Sequence, residues 1–541
     1  MIMTSNFPGL PLGYSSFESL RESGRIYVDK TQLVYKLCTE SGNKIFLARP
    51  RRFGKSLLVS TFESLFKNGT RSFKGLAIEQ LWEKQKSRDV VRLDFSELVG
   101  GFHSLEEFRR LMRTRVIDRF GRAGFSPDAA KPDVLAQFAS WLSDRPVDSL
   151  VVLIDEYDAP LTYCLHDKEL FEKIQQEMMN FYFIIKSNSG CLHFLFITGV
   201  SRFSHTGIFS GFNDLTDVSL SPDYGTLLGY TEEEIEVFFA PYLKRAQQVL
   251  GLDADALLSG LRENYDGFCF DMMASTHVYC PWSVLRFLLE PMLGFRNYWY
   301  QTGGQPSVLV NYLKIHALND PRRFDQEFTL GLDQFQQSLE YSKLSVDVML
   351  AQAGYFTIRS ATETDVTLGY PNREVRSSMA RLYARELFEQ AGTGEFAFND
   401  LQEALKSGDL DAVVKDFNAA FNMLDSLSFS SANENTCRAL LKIFLIGRAA
   451  GQVESEKQYG KGRSDLEVVT AGRHWVFELK YARSSNEIPR LLEAGARQMK
   501  ENRYGIGLGS ETLLRAVLVF DGQKRQFAAW KLLEDADKDC A

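Results

Sequence analysis

The sequence lacks the features that mark secreted and membrane proteins. Its seven cysteines are scattered and none forms a Cys-x-x-Cys pair, so neither a zinc site nor a disulfide framework is expected. It contains no run of about 18 apolar residues, which argues against a membrane span. The first residues carry no basic segment followed by an apolar one, so no signal peptide is expected. These absences predict a cytoplasmic protein with reduced thiols and no membrane partner.

The sequence also has no excess of positive charge. Its formal net charge is −8, with 62 lysines and arginines against 70 aspartates and glutamates. This balance excludes a protein that binds nucleic acid with its whole surface, so any such binding must use local basic patches. Hydrophobic residues make up 45% of the chain, which is typical of a globular protein, and a length of 541 residues predicts several domains.

The stretch at 48–56, Ala-Arg-Pro-Arg-Arg-Phe-Gly-Lys-Ser, has the layout of a phosphate-binding loop. The apolar run before it predicts a strand, and the residues after it predict a helix. Gly54 would let the backbone approach a phosphate, Lys55 would reach the outer phosphates, and Ser56 would hold a magnesium ion. Arg49 stands where such loops usually have their first glycine. The alternative is a basic strand–helix turn that contains Gly-Lys-Ser by chance.

A second apolar run, at 151–154, predicts a strand that is buried on both faces, as in a parallel sheet. Asp155 at its C-terminal end would bind the magnesium ion. Glu156, the next residue, would orient or deprotonate the attacking water. The alternative is a pair of acidic residues that merely end a core strand.

A third apolar run, at 194–197, repeats this layout and is followed by Thr198 and Arg202. Ligands of open parallel sheets gather at the carboxyl edge of the strands. We therefore expect Thr198 to sense the outer phosphate and Arg202 to neutralise its charge, with a structural salt bridge as an equal alternative for Arg202. Residues 204–225 are rich in Gly, Ser, Asn and Asp and predict a loop over the same edge, a candidate moving element.

The middle of the chain, residues 226–425, is predicted to be mostly helical and to serve as a lid, interface or spacer. Thr231 and Glu234 have the spacing of a capping box at the start of a helix. Residues 279–283, Tyr-Cys-Pro-Trp-Ser, indicate a turn, and residues 346–360 and 366–368 are expected to supply short strands.

Near the C-terminus, residues 462–480 predict a turn followed by a two-stranded hairpin. Glu478 and Lys480 share one face of the return strand because side chains alternate along a strand. Asp465 on the neighbouring strand and Glu434 on the preceding helix would complete a site of hard oxygen ligands for magnesium or manganese. Lys480 would orient a water or stabilise a pentavalent phosphate. The alternative is a hairpin with a solvated Glu–Lys face.

The helix predicted at 491–504 carries Arg497, Gln498, Lys500 and Arg503. Side chains of these types can hold a nucleic-acid backbone. A solvated helix face is an equal alternative.

Together these motifs resemble the bacterial AAA-ATPase-like proteins that carry a C-terminal PD-(D/E)XK nuclease domain. The matching motifs are Arg49-Pro50-Arg51-Arg52-Phe53-Gly54-Lys55-Ser56, Leu153-Ile154-Asp155-Glu156-Tyr157-Asp158, Thr198-Gly199-Val200-Ser201, Tyr265-Asp266-Gly267-Phe268, Pro281-Trp282-Ser283, Gly462-Arg463-Ser464-Asp465 and Phe477-Glu478-Leu479-Lys480. Phe268 departs from the family, which often has tyrosine there. The resemblance implies that the irregular loop is the family's own form, so that Arg52 and Phe53 belong to the ATP-binding loop. Its arginines are expected to add positive charge around the phosphates.

The resemblance implies an α/β protein with three parts. Residues 1–225 would form a P-loop NTPase domain with a parallel sheet, and residues 226–425 a mostly helical lid or middle region. Residues 426–541 would form a restriction-endonuclease-like α/β domain.

The first functional hypothesis is an ATP-driven or ATP-gated DNA nuclease that uses Mg²⁺, with Mn²⁺ as a further possibility at the nuclease site. RNA as substrate, homo-oligomerisation, and a role in defence or control of mobile elements stay open. The second hypothesis is a regulatory or signalling ATPase whose nuclease-like domain binds nucleic acid without cutting it. A third is a protein-interaction switch with no nucleic-acid partner.

Overall fold

The structure is a computed structural model of the chain. The residues that it describes are 7–83, 88–131, 133–202, 214–301, 321, 324, 327–336, 345–389, 399–424, 433–448, 451–459, 462–470, 472–506 and 511–533. Residues 204–213 of the predicted loop at 204–225 therefore lie outside the described residues, whereas residues 214–225 lie within them. Within the described ranges, no helix is both long enough and apolar enough to cross a membrane.

The chain divides into two compact units, which do not coincide with the three predicted stretches. One consists of Met1–Tyr312 and Glu327–Arg376, and the other of Leu313–Gln326 and Ser377–Ala541. The boundaries expected after residues 225 and 425 stay predictions.

The first unit is built on a five-stranded parallel sheet with the strand order β2-β3-β4-β1-β5. The strands are β1 (Lys44–Ala48), β2 (Asp89–Asp94), β3 (Leu150–Asp155), β4 (Leu192–Gly199) and β5 (Thr216–Asp217). Strands β1 and β3 are buried along their whole length because helices cover both faces of such a sheet. The order places the carboxyl ends of β1, β3 and β4 side by side, where a ligand can be bound.

Helices precede β1 and connect the strands that follow it, up to β4. They are α1 (Phe17–Glu22), α2 (Thr31–Thr39), α3 (Lys55–Asn68), α4 (Ile78–Leu81), α5 (Leu105–Gly121), α6 (Val134–Ser143), α7 (Ala159–Tyr163) and α8 (Lys168–Ser187). Helix α3 starts directly after Gly54, whose positive φ of 94° is accessible to glycine at little cost. The apolar residues Leu58, Phe62 and Leu65 of α3 lie one helical turn apart and are buried.

Beyond the sheet, the same unit contains a group of helices and two short strands: α9 (Glu232–Phe238), α10 (Ala240–Leu250), α11 (Ala254–Tyr265), β6 (Phe268–Cys269), β7 (His277–Val278), α12 (Pro281–Leu289) and α13 (Tyr298–Gln301). The predicted capping box of Thr231 and Glu234 is confirmed at the start of α9. The turn expected at 279–283 is wrong for its last three residues, because Pro281 occupies the first position of α12, where its missing N–H costs nothing.

The next elements are β8 (Phe328–Gly331), α14 (Leu332–Gln336), α15 (Val346–Gln352), β9 (Thr357–Ala361), β10 (Asp365–Gly369) and α16 (Arg373–Glu389). The three strands form an antiparallel sheet in the order β8-β10-β9. Short strands were expected within 346–360 and 366–368, and β9 and β10 confirm this, but Val346–Gln352 forms the helix α15 instead. Its buried residues Val348, Met349 and Leu350 form a short apolar run, and such a run does not distinguish a buried helix from a strand.

The second unit is organised around a mixed five-stranded sheet with the order β11-β14-β15-β16-β17, in which β15 and β16 are parallel and the other pairs antiparallel. Its elements are α17 (Asn399–Ser407), α18 (Leu410–Phe421), α19 (Glu434–Gly447), β11 (Gln452–Ser455), β12 (Gln458–Tyr459), β13 (Gly462–Arg463), β14 (Leu466–Thr470), β15 (Arg473–Ala482), α20 (Ile488–Asn502), β16 (Thr512–Asp521) and β17 (Gln526–Leu533). The hairpin predicted at 462–480 is present, and the α/β class expected for the chain is confirmed.

Candidate nucleotide and nuclease sites

The loop between β1 and α3 has the shape that a phosphate-binding loop requires. Two residues take positive φ values, 72° at Arg52 and 94° at Gly54, and they turn the chain sharply into the N-terminus of α3. A non-glycine residue in this region is strained, and such strain is found mainly at functional sites. Lys55 is buried, with its Nζ 3.2 Å from the carbonyl oxygen of Pro50 and 4.0 Å from Oε1 of Glu156.

Asp155 ends β3 as a fully buried carboxylate beside the loop. Burial raises its pKa, and the neighbouring Ser56 hydroxyl opposes the rise. Its Oδ1 accepts the backbone N–H of Glu156 at 3.0 Å, while Oδ2 accepts no hydrogen bond from the described residues and lies 3.5 Å from the guanidinium of Arg92. Glu156 has a φ of 49°, a second strained position at this edge. The structure thus brings Lys55, Ser56, Asp155 and Glu156 together.

The two residues expected to sense phosphate from β4 are already engaged within the first unit. The hydroxyl of Thr198 is buried and donates to the carbonyl oxygen of Leu47 at 2.6 Å, which ties β4 to β1. Arg202 forms a salt bridge with Asp217 at 2.7 Å. For Arg202 the observed arrangement is therefore the structural alternative that the sequence left open.

The guanidinium of Arg49, whose charge was expected to lie around the phosphates, is engaged with backbone carbonyl groups and an aromatic ring. Arg49 is 1% exposed and donates to the carbonyl oxygens of Ala48 at 2.9 Å, Ser219 at 2.5 Å and Tyr224 at 3.0 Å. Its guanidinium also lies over the ring of Phe270, 4.5 Å from the centroid. Three carbonyl acceptors and an aromatic face hold this buried cation, so Arg49 fixes the start of the loop to the β5 side of the sheet.

Arg52 and Phe53 direct their side chains into packing contacts. The guanidinium of Arg52 lies 4.8 Å from the ring centroid of Trp282, a cation–π contact. The ring of Phe53 is buried and meets Phe268 and Phe270 edge to face, at 4.9 and 5.0 Å between centroids. Because both side chains are engaged in packing contacts, the backbone N–H groups of Arg52 and Phe53 are the groups suited to binding a phosphate in the predicted loop.

Asp158 is a structural residue of this edge to which sequence reasoning gave no role. Its carboxylate accepts the backbone N–H groups of Val200 at 3.2 Å and Ser201 at 2.6 Å, and burial raises its pKa. A Cβ on Gly199 would lie 2.3 Å from Oδ1 of Asp158 and 2.6 Å from the ring of Tyr157. The run of acidic residues after β3 was the feature of the sequence that could have revealed this role. Nothing in that run shows, however, which of its residues faces β4.

In the second unit, Asp465 and Glu478 face each other across two antiparallel strands. Leu466 pairs with Phe477, which places Asp465 opposite Glu478 one step further along the hairpin. Oδ2 of Asp465 accepts the backbone N–H of Leu479 at 2.8 Å. This hydrogen bond leaves Oδ1 of Asp465 as the carboxylate oxygen toward the surrounding side chains.

Glu478 and Lys480 lie together on the same face of β15, as predicted from the alternation. Oε1 of Glu478 accepts Nζ of Lys480 at 2.6 Å, while Oε2 is buried with no hydrogen-bond partner among the described residues. Burial, and then the charge of Asp465, raises the pKa of Glu478 to about 7. Burial alone would lower the pKa of Lys480, but the neighbouring Glu478 outweighs it and the pKa is raised. Glu434 approaches Lys480 at 3.8 Å, and burial raises its pKa as well.

The oxygen atoms at the two candidate sites meet the requirements of a metal ion in part. Among the described residues, no group of three or more His, Cys, Asp or Glu side chains is arranged to hold a metal ion. The pair Asp465 and Glu478, and the pair Ser56 and Asp155, nevertheless present the hard oxygen atoms that Mg²⁺ and Mn²⁺ prefer. The buried, unpaired Oε2 of Glu478 is costly unless a cation or a hydrogen bond satisfies it. Glu434 as a third ligand stays a prediction.

Sequence reasoning also missed the positions that support Asp465. Glu467, two residues along β14, is buried and accepts the hydroxyls of Tyr459 at 2.5 Å and Ser464 at 2.6 Å. Its other oxygen lies 2.8 Å from Nε2 of His474. Burial alone would raise the pKa of Glu467, but these hydrogen bonds outweigh it and keep the pKa below its usual value. Glu467 thus fixes the turn that carries Ser464 and Asp465.

Helix α20 carries the basic residues that were proposed as a nucleic-acid contact. Arg497, Lys500 and Arg503 are exposed, whereas Gln498 is half-buried beside the Tyr504 hydroxyl. The helix packs closely on Glu478 and Lys480 at Gly495, where a Cβ would lie 3.6 Å from Cγ of both residues. The basic side chains are therefore carried by the helix that covers the Glu478–Lys480 face.

Comparisons with known proteins cover the two regions of the chain that contain these residues. Residues 11–209 match the family described as predicted AAA-ATPase, and residues 432–530 match the PD-(D/E)XK nuclease superfamily. The chain is also 29% identical over 514 residues to a protein of Azotobacter chroococcum mcd 1 named "Uncharacterized protein in vnfD 5'region", with 92% of each chain covered. These matches confirm the resemblance. The chain therefore carries an AAA-ATPase-like domain followed by a domain of the PD-(D/E)XK nuclease superfamily.

Proposed function

We propose that this protein binds and hydrolyses ATP at the loop before α3 and cleaves the phosphodiester bonds of DNA at a second site on β14 and β15. The observation that carries the nuclease assignment is the environment of Glu478. This carboxylate is buried opposite Asp465, keeps one oxygen without a hydrogen bond among the described residues, and holds Lys480 at 2.6 Å. A buried carboxylate pair beside a lysine is poorly suited to a purely structural role and well suited to a metal and a phosphate.

At the nucleotide site, each residue has a role that follows from its position. Backbone N–H groups of the loop and the N-terminus of α3 would bind the phosphates, and Lys55 would move from the Pro50 carbonyl to the outer phosphates. Ser56 and Asp155 would hold Mg²⁺, which supplies positive charge against the phosphate oxygens. Glu156 would orient the attacking water from its strained position next to Asp155.

At the nuclease site, Asp465 and Glu478 would hold Mg²⁺ or Mn²⁺, with Glu434 as a further candidate ligand. When bound, the ion would supply Lewis acidity at the scissile phosphate. Lys480 would orient the attacking water and stabilise the charge that develops on the phosphate. Arg497, Lys500 and Arg503 would bind the nucleic-acid backbone from α20. RNA is the alternative substrate, and defence or control of mobile elements is the setting that we propose.

The test is cleavage of labelled single- and double-stranded DNA, and of RNA, by the full chain with and without ATP and Mg²⁺ or Mn²⁺. Lys480→Ala should abolish cleavage and leave ATP hydrolysis intact, whereas Lys55→Ala should abolish ATP hydrolysis. Lys531→Ala serves as the matched control, because Lys531 is a half-exposed lysine paired only with the exposed Glu493 among the contacts described. Wild-type cleavage by Lys480→Ala would refute the assignment.

One observation favours a second candidate function, a regulatory ATPase whose nuclease-like domain binds nucleic acid without cutting it. Cations already neutralise the carboxylates of this domain: Lys480 lies on Glu478 and Arg438 lies 3.3 Å from Asp465. If these pairs never open, a metal cannot enter. DNA binding that persists without cleavage under every divalent cation would select this function over the first.

A further inference from the structure

Helix α19 brings two charged side chains, Glu434 and Arg438, to the proposed nuclease residues, whereas Lys442 on the same face bonds to Ser455. Glu434, Arg438 and Lys442 follow one another at four-residue spacing, which places them on one face of the helix. Glu434 lies 3.8 Å from Nζ of Lys480, and Arg438 lies 3.3 Å from Oδ1 of Asp465. Arg438 is thus a second cation at the carboxylates, in addition to the lysine of the nuclease motif.

The contacts of Arg438 are those of a loosely held side chain. Its NH1 lies 3.3 Å from Asp465, and its NH2 lies 3.2 Å from Glu456 and 3.1 Å from Asn435. Hydrogen bonds between a guanidinium and a carboxylate are usually about 2.7–2.9 Å long, so both carboxylate contacts are long ones. The side chain keeps 18% of its surface exposed, which gives it a path to solvent.

A metal can reach one oxygen of Asp465 without breaking the hydrogen bond between this residue and the backbone. Its Oδ2 is held by the N–H of Leu479 at 2.8 Å and maintains the register of the hairpin. Its Oδ1 is the oxygen that Arg438 contacts. A guanidinium stays charged at any pH at which the protein is folded, so Arg438 can make way for another cation only by moving.

We propose that Arg438 competes with the divalent cation for Asp465 and, once displaced, binds the incoming phosphodiester. This inference rests on the proposed nuclease function. Two positive charges cannot share Oδ1 of Asp465 at low cost, so the metal must displace the guanidinium. The planar fork of arginine matches the geometry of a phosphate, and Arg438 starts beside the carboxylate that would hold the metal. The pairing would keep the nuclease site inactive until metal and nucleic acid are both present.

The proposal predicts that one substitution raises the affinity for Mn²⁺ and lowers the rate of DNA cleavage. Arg438→Gln removes the competing charge, so Mn²⁺ should bind the full chain at least about threefold more tightly. At saturating Mn²⁺ the same variant should cleave DNA at least about tenfold more slowly, because a phosphate contact is missing. A residue with only a structural role would show neither the tighter Mn²⁺ binding nor this opposition between binding and cleavage.

The experiment measures Mn²⁺ binding to the full chain by calorimetry, without nucleic acid, followed by cleavage at saturating Mn²⁺. Arg490→Gln, at an exposed arginine of α20, is the matched control and should bind Mn²⁺ as the wild type does. Arg438→Lys keeps the charge but cannot reach both carboxylates with a fork, so its Mn²⁺ affinity should lie between those of the wild type and Arg438→Gln. This variant decides the question if Arg438→Gln does not fold.

Glu478→Gln separates the failure of this inference from that of the proposed function. If Glu478→Gln loses Mn²⁺ binding while Arg438→Gln and Arg438→Lys bind Mn²⁺ no more tightly than the wild type, the competition is refuted and the metal site stands. If Glu478→Gln binds Mn²⁺ like the wild type, the metal site itself is refuted, and the competition with it.

Discussion

Glu374 provides a sharp test of how the first unit is held together. It is buried in the first turn of α16 and accepts the Ser283 hydroxyl at 2.7 Å. Its other oxygen accepts the backbone N–H groups of Tyr298 at 2.6 Å and Trp299 at 2.8 Å, at the start of α13. One carboxylate therefore joins α12, α13 and α16. Burial raises its pKa from the usual 4.5 to about 7, against the lowering effects of these hydrogen bonds and of Arg52.

The raised pKa makes stability depend on pH with a definite sign. Between pH 4.5 and about 7 the folded chain binds a proton at Glu374 that the unfolded chain has lost, so unfolding becomes easier as the pH rises. One pKa unit corresponds to about 1.4 kcal/mol, and the gap between 4.5 and about 7 gives a ceiling of about 3 kcal/mol. This stabilisation is complete below pH 4.5 and is lost as the pH rises through about 7.

The assay is denaturant unfolding at several pH values for the wild type and Glu374→Gln. Glutamine keeps the size and one acceptor oxygen but does not titrate, so the difference between the two chains isolates Glu374. The free energy of unfolding of the wild type should fall relative to that of Glu374→Gln by up to about 3 kcal/mol between acidic and neutral pH. Glu233→Gln, at an exposed residue of α9, should follow the wild type. Parallel profiles for the wild type and Glu374→Gln would refute the reasoning.

Three further predictions follow from single contacts. Gly199→Ala should lower the free energy of unfolding by about 1–3 kcal/mol, because its Cβ would meet the buried Asp158 at 2.3 Å; unfolding in urea checks this, and an unchanged midpoint contradicts it. Glu467→Gln should lower it by about 2 kcal/mol, because hydrogen bonds to a charged, buried acceptor are weakened; an unchanged thermal midpoint contradicts this. Lys55→Ala should weaken ATP binding at least about tenfold in calorimetry while the circular dichroism spectrum stays unchanged, and wild-type affinity would count against the nucleotide site.

The sequence predicted those parts of the two candidate sites in which reactive residue types lie close together in one short stretch of chain. The loop before α3, the acidic pair Asp155–Glu156 at the end of β3, and the Glu478–Lys480 face of β15 all combine a local period with a reactive residue type. Strand alternation alone places Glu478 and Lys480 together. For the same reason the hairpin and the α/β class could be predicted without any tertiary contact.

The parts that the sequence did not predict depend on contacts between distant positions. Arg49 suggested charge beside a phosphate, yet it is buried against carbonyl groups about 170 positions away in the chain, at Ser219 and Tyr224. Sequence reasoning gave Arg438 no role, and only the fold brings it to Asp465. Residue type reveals charge but not the partner of that charge, because the partner is set by the packing of whole elements.

Cleavage of DNA by Glu478→Gln tests the central claim most directly. The substitution keeps the volume of the side chain, removes the carboxylate opposite Asp465, and leaves the nucleotide loop untouched. The full chain should cut labelled DNA in the presence of Mn²⁺ and ATP, and Glu478→Gln should cut it at least about a hundredfold more slowly while hydrolysing ATP normally. Cleavage by Glu478→Gln at the wild-type rate would contradict the assignment of this site as a nuclease.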